Sequence, residues 1–383
     1  MIKKILITLV VTSILVLGAN FITKPTDTRG VIQFASWGSK SEVDIIKPIL
    51  KEFERENPTI KIDFMHIPQN YFQKIHLLFA SNTAPDVIFI NNHYLPIYAN
   101  AGLLEPLQAD NNFYEKSLEA LSWRNTLYAV PRDISNLVIF YNRDILRKNG
   151  INSPNDNWTM EEFLNIAQTV THDGIFGISF EEDALFYLPY LMSFGGGILS
   201  DDLSRLIIDE QPSQNAIKFY ADLRKKYHVA PLKSESASAT MAQMFLQQKL
   251  AMHLSGRWLV PKYREEADFD WDVAPFPKGE KGSIVPLDAS GWAIAKSSKN
   301  KIMARKLVDF LASKTNSQKF AQSGLIVPAR KDVAESIYFL DNQKPRNARV
   351  FLTTIETSKS TPVSIDYKEI LDNLKGKFEK IFN

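Results

Sequence analysis

The sequence predicts an α/β fold with helices on both faces of the sheet, and three observations predict it. Apolar runs of strand length alternate with stretches of helical period from residue 31 onward. The run Asp86-Val87-Ile88-Phe89-Ile90 is continuously apolar after its first residue, as a central parallel strand buried on both faces requires. The same alternation resumes near residue 137, which suits a length of 383 residues, enough for about two domains of roughly 150 residues each.

Each element follows from local signals. Residues 31–36 read as a short buried strand ending at Trp37-Gly38-Ser39. Ser39 and Ser41 can each cap the next helix, which carries Val43, Ile46, Leu50 and Phe53 on one face, and Pro48 is expected to kink it. Asn57-Pro58 ends that helix, and Ile60, Ile62 and Phe64 alternate as in a strand over residues 59–67. A helix over 71–81 precedes the strand at 86–90, and residues 137–141 form another strand. The helix over 158–171 has a capping box, Thr159 with Glu162, and a hydrophobic staple, Trp158 with Phe163, which gives Trp158 a structural job. Helices follow over 216–226, 240–250, 302–313 and 367–382, the last with Ile370, Leu371, Leu374, Phe378 and Ile381 on one face.

Composition and charge narrow the function. With 45% apolar and 23% charged residues the chain is ordinary globular material. The net charge is +2, and without Lys3 and Lys4 the body is neutral, so nothing marks it for a phosphate backbone and nucleic acid is not expected as a partner. Zero cysteines removes disulfides, thiolate zinc sites, iron–sulfur clusters, a cysteine nucleophile and a lipidated cysteine anchor. Residues 1–23, with Lys3 and Lys4 before an uncharged run, read as an export signal or as an uncleaved N-terminal anchor. The body is therefore expected to be soluble and outside the cytoplasm.

Enzyme signatures are sparse. No phosphate loop, dinucleotide fingerprint, zinc-protease motif or nucleophile elbow is present. The six histidines, His66, His76, His93, His172, His228 and His253, are isolated, so neither a metal nor another cofactor is expected. Asp268, Asp270 and Asp272 resemble the start of a calcium loop, but Val273 and Gly279 stand where glycine and glutamate are needed. A strand with its aromatics inward and its aspartates outward is the better reading. Three tryptophans sit beside glycines: Trp37 before Gly38-Ser39, Trp258 after Gly256-Arg257, and Trp292 after Ser290-Gly291. Glycine lets a ligand approach the backbone, and an indole face suits the C–H face of a sugar, so these three are candidate plates of a binding cleft.

Several stretches then line up in order: residues 53–62, with Asn57-Pro58-Thr59-Ile60; 80–88, with Ala84-Pro85-Asp86-Val87; 98–107; 128–133; 140–144; 158–163; 193–196; 250–258; and 324–330. As an ordered set spanning nearly the whole body, they resemble the family 1 extracellular solute-binding proteins, the sugar-capturing receptors of ABC importers. The resemblance implies a two-lobed periplasmic-binding-protein fold with a hinge and an interlobe ligand cleft. Lobe one would comprise 30–130 plus 288–330 and lobe two 131–287 plus 331–383, with the hinge near 131–135 and 285–290. It also implies that ligand is met by Trp37, Gly38 and Ser39 after the first strand and by Asn91, Asn92 and His93 after the third. Arg132 and Asp133 would read hydroxyls near the hinge, Phe194, Gly195 and Gly196 would bring backbone to the sugar, and Gly256, Arg257, Trp258, Ser290, Gly291 and Trp292 would supply the plates.

The function so implied is a monomeric, non-enzymatic receptor that captures a sugar or glycoside in the periplasm and delivers it to an ABC importer permease by hinge closure. Alternatives are a polyamine or phosphodiester ligand in the same fold, or an exported glycoside hydrolase with two facing carboxylates.

Overall fold

The computed structural model describes residues 30–236 and 238–383, so the expected export segment and most of its linker lie outside the described residues. Thirteen strands are described, several of them very short. They are β1 (Gly30–Ser36), β2 (Ile60–His66), β3 (Val87–Asn91), β4 (Ser122–Trp123), β5 (Thr126–Leu127), β6 (Ala129–Ser135), β7 (Leu137–Asn142), β8 (Phe176–Ile178), β9 (Leu250–Gly256), β10 (Trp271–Ala274), β11 (Pro286–Ile294), β12 (Val327–Pro328) and β13 (Lys359–Ser360).

Two sheets organise the molecule. The larger has seven strands in the order β12-β6-β11-β3-β1-β2, with β13 beside β11; the smaller runs β10-β7-β9-β8. β1 is parallel to both β2 and β3, while β11 lies antiparallel between β3 and β6. β3 is buried from Val87 to Ile90, as its apolar run predicts. Helices cover both sheets. The helix Lys40–Glu56 starts at the Ser39–Glu42 capping box, runs unbroken through Pro48, and buries Val43, Ile46, Ile49, Leu50 and Phe53. One core surrounds the larger sheet and continues onto one face of the smaller through Val138, Phe140, Leu250 and Trp271, and a second on the other face of the smaller sheet holds Trp158, Tyr190 and Tyr220.

The chain changes sheet at Asn136, between β6 and β7, and again before Pro286, where β11 begins. The stretch 131–135, where the resemblance implies a hinge, is thus strand in the larger sheet, with a shift of register against β11 at Arg132, and the change of sheet comes one residue after it. A third passage follows β13: the helix Val350–Thr357 lies before it, and the helix Tyr367–Phe382 after it enters the second core.

Three sequence expectations need correction. The helix expected over 240–250 spans only Met241–Leu246, because Gln248 turns left-handed (φ 57°) and Leu250 opens a fully buried strand. The helix expected over 216–226 begins earlier, at Gln211, with a proline in its first turn. Phe269 and Trp271 are buried as expected, but Asp272 is buried too. Its Oδ1 accepts from the Val273 and Asn347 backbone amides at 2.9 and 3.0 Å, tying β10 to the C-terminal segment.

Candidate functional site

A cavity of about 460 Å3 opens between the two sheets. It sits off the carboxyl ends of parallel strands β1 and β3, the place where open α/β sheets bind ligands, and its size falls in the range of about 300–1,000 Å3 usual for small-molecule sites. β1 leads to Trp37, β3 to Asn91, Asn92 and His93, β6 brings Arg132 and Asp133, and β11 brings Asp288 and Ser290. From the other sheet come Arg257 and Trp258, the residues directly after β9.

The floor is an ion-pair lattice. Arg132, 5% exposed, donates from Nε to Asp133 Oδ1 at 2.6 Å and from Nη1 to Glu42 Oε1 at 3.2 Å. Its guanidinium lies over Phe89 at 4.9 Å and near Phe320 and Trp292 at 5.5 and 5.6 Å. Burial alone would lower its pKa; Asp133 and Glu42 outweigh that and raise it. Ser290 Oγ donates to the same Asp133 oxygen at 2.6 Å, and Glu42 Oε2 accepts the Ser39 backbone N–H at 3.0 Å. Asp133 is therefore fixed in direction at the cavity wall.

A second network stands beside it. Asp288 Oδ1 accepts from Asn92 Nδ2 at 2.9 Å and Thr361 Oγ1 at 2.8 Å, and His93 Nε2 lies 3.0 Å away. Burial would raise the Asp288 pKa, but His93, Asn92 and Thr361 bring it below the usual carboxylate value. Burial would likewise lower His93, but Asp288, with help from Asp183, raises it. Beyond this pair lies a side chamber of about 280 Å3 that shares Asn91, His93 and Asp288 with the main cavity and adds Asp183, Leu185 and Tyr367.

The rest of the wall is aromatic. Trp37 is 43% exposed with its ring 6.1 Å from Phe89, Trp258 is half-buried, and Tyr71 and Phe72 complete the rim. Tyr71 Oη donates to the backbone oxygens of Ala35 and Phe89 at 3.1 and 2.9 Å, which locks β1 beside β3. Among the described residues no group of three or more His, Asp or Glu side chains could hold a metal ion.

Residues 39–318 match the family described as bacterial extracellular solute-binding protein. The chain belongs to that family. Two curated relatives are a putative binding protein of Brucella abortus, 26% identical over 350 residues (87% of this chain, 84% of the relative), and the galactooligosaccharide-binding protein of Bacillus subtilis, 23% identical over 352 (87% and 80%). Among solved structures, an ABC substrate-binding protein from Listeria monocytogenes in complex with cycloalternan superposes with a TM-score of 0.84. It is 24% identical, over 93% of this chain and 94% of that one. The fold of this solute-binding protein is accordingly the two-lobed one, with the cavity in the cleft between lobes.

Against that cleft, the sequence-nominated residues divide. Trp37, Asn91, Asn92, His93, Arg132, Asp133, Arg257, Trp258 and Ser290 line the cavity. Trp292 does not: it is fully buried, edge-on to Phe34 at 5.4 Å and to Phe89 at 6.0 Å, a core residue of the solute-binding protein. Gly291 is there for strand packing, since a Cβ would lie 2.2 Å from the Val130 carbonyl oxygen. Gly256 serves Trp258, whose ring would meet a Cβ at 1.9 Å. Phe194 ends the helix Ala184–Ser193 and packs on Phe219 at 5.5 Å; Gly195 turns left-handed (φ 85°), and Gly196 abuts Ser213, so this trio seats helix on helix away from the cavity. Gly38 and Ser39 border an open groove outside Trp37, with Ser39 spent on the helix cap. Sequence reasoning missed Glu42, Tyr71, Phe72, Phe89, Leu325 and Ile326 as wall residues. Glu42 left a signal as the return partner of Ser39, and Leu325 and Ile326 stand in the 324–330 stretch that carries the resemblance.

Proposed function

We propose that this solute-binding protein captures a saccharide of more than one unit in the periplasm and hands it to an ABC importer permease, the lobes closing about the strand crossings. The observation that carries the reading is the pairing, across one cavity, of Trp37 from one lobe and Trp258 from the other with the oriented polar groups Asp133, Asn91 and Ser290. An indole plate stacks on a sugar's C–H face while a fixed carboxylate reads adjacent hydroxyls, a division of labour that suits carbohydrate. The Bacillus galactooligosaccharide-binding protein and the Listeria cycloalternan complex support the class, and the side chamber supports a ligand longer than one ring. On this reading, lobe one is the larger sheet with its helices and lobe two the smaller sheet with the C-terminal helices.

The competing readings fit the wall less well. A polyamine needs carboxylates to spare, but Glu42 and Asp133 are paired to Arg132, and Asp288 to His93. A glycosidase needs one carboxyl with a raised pKa as general acid, and Asp288 is shifted the other way. Calorimetry of the protein against mono-, di- and oligosaccharides and a polyamine tests the proposal. Micromolar or tighter binding of a saccharide, about −8 kcal/mol or better, without product, is expected. A signal from the polyamine alone, or turnover of the saccharide, would overturn it.

A further inference from the structure

Two cavities meet at one pair of side chains. His93 and Asp288, 3.0 Å apart, line both the main cavity and the side chamber. Asp288 spends Oδ1 on Asn92, Thr361 and His93. Its Oδ2 has no hydrogen-bond partner among the described residues, and it is not one of the atoms sealed from solvent. His93 turns Nε2 to Asp288, and its Nδ1 is left in the same state, unpartnered among the described residues and open. Both atoms belong to residues of the chamber wall, so they are available to a molecule that enters it.

The opposite wall comes from the second core. Tyr367 begins the helix Tyr367–Phe382, and its ring lies 5.6 Å from that of His93. The residue is buried, yet its Oη makes no hydrogen bond among the described residues and is likewise not sealed. Burial first, and Asp288 after it, raise the Tyr367 pKa, so at neutral pH the phenol keeps its proton to donate. Asp183 caps the helix Ala184–Ser193 through Oδ1, which accepts the Leu185 amide at 2.9 Å, and its Oδ2 is spare among the described residues. Leu188 and Leu371 close the wall with apolar surface. Lys368, which also lines the chamber, is paired with Asp372 at 3.4 Å. The open groups are thus two carboxylate oxygens, a phenol and an imidazole nitrogen, a set that favours hydroxyls over an anion.

We propose that the side chamber is the subsite for a further unit of an uncharged oligosaccharide, beyond the unit held between Trp37 and Trp258. Its hydroxyls donate to Asp288 Oδ2 and Asp183 and share a hydrogen bond with Tyr367 Oη. This rests on the saccharide reading above and sharpens it. At about 280 Å3, against about 460 Å3 for the main cavity, the chamber has room for the smaller part of the ligand. A unit seated there touches both halves, since Asp288 stands in the larger sheet and Tyr367 and Leu188 in the second core. Its contacts add to those that favour the closed arrangement.

The test is calorimetry of the protein with two series of increasing length: glucose, maltose and maltotriose, and galactose, galactobiose and galactotriose. In a series that binds, one added unit is expected to tighten binding about tenfold or more, the order of a hydrogen bond to a charged group. Tyr367→Phe removes only the hydroxyl and is expected to shrink that step several-fold. Leu371→Trp fills the chamber and is expected to reduce the step to less than about threefold. Maltobionate and digalacturonate, the charged counterparts of maltose and galactobiose, are expected to bind at least about tenfold more weakly than these. Binding that does not tighten with length overturns the inference and leaves the saccharide reading standing. A step of unchanged size in Leu371→Trp overturns the assignment to this chamber, and one unchanged in Tyr367→Phe overturns the part given to its hydroxyl. Acids that bind as tightly as the neutral sugars overturn the uncharged class. Silence from every saccharide overturns both readings together.

Discussion

Trp258 and Gly256 show how a cavity wall is set by two residues of which only one faces the cavity. The indole folds back over its own chain, and the space it uses is the space a Cβ at position 256 would need, 1.9 Å from Cζ3. Trp258→Ala is expected to weaken saccharide binding by about 1–3 kcal/mol, the order lost with one stacked aromatic and its buried area. Gly256→Ala should cost a similar amount by displacing the ring, and the double variant should be no weaker than either single one, because the two changes remove the same contact. Calorimetry on the three variants decides this, and additive losses would contradict it. His93 makes a different prediction. Its pKa is raised in the folded protein by Asp288 and Asp183 against the effect of burial, so the stabilisation it brings is complete below about pH 6.5 and fades as pH climbs through the higher folded value. His253, pushed down by burial, contributes with the opposite sign, so the comparison has to be between the protein and His93→Gln. The difference in melting temperature between them should be largest near pH 6 and shrink towards pH 8; a difference that does not change with pH would detach His93 from the Asp288 charge.

Elements were legible wherever the signal was local. The cap at Thr159 with Glu162 returning to its backbone at 2.7 Å, and Trp158 over Phe163 at 5.9 Å, are four residues whose roles follow from spacing alone. The final helix, Tyr367–Phe382, also matches its expected bounds, because its apolar face repeats over four turns with nothing to interrupt it. Local signal misled where a glycine had two explanations. Next to Trp258, Gly256 makes room for an indole, whereas next to Trp292, Gly291 makes room for the carbonyl of a neighbouring strand at the register shift between β11 and β6. The sequences Gly-Arg-Trp and Gly-Trp do not distinguish these, since what differs is the partner strand, far away in the chain for Gly291 and Val130. The same holds for Tyr71 and Phe89: each reads as core, and only the sheet order puts them at a cavity wall. The third crossing at β13 was not legible because a two-residue polar strand has no periodicity to detect.

At the scale of the whole molecule, the two sheets are joined by chain passages that all converge beside the cavity: Asn136 between β6 and β7, the start of β11, and the segment after β13. Their hydrogen bonds are shared. Asn136 Nδ2 donates to the Phe351 carbonyl at 2.8 Å, Thr361 to Asp288 at 2.8 Å, and β13 pairs with the first two residues of β11. Such a bundle resists shear between the lobes better than it resists bending, because a few backbone torsions at the passages can change while the sheets stay intact. Away from it, Arg257 Nε donates to the Gly324 carbonyl at 3.1 Å between the two halves, and Trp258 and Trp37 line the same cavity from opposite sides. Ligand that touches both sides therefore favours the closed arrangement over a more open one in proportion to the contacts made only there. Small-angle scattering with and without saturating saccharide should show a smaller radius of gyration in its presence, and the Trp258→Ala variant should need more ligand to reach the same value. A scattering curve unchanged by a saccharide that calorimetry shows to be bound would mean that the cleft takes its ligand without moving, and a permease would then have no closed surface to distinguish loaded protein from empty.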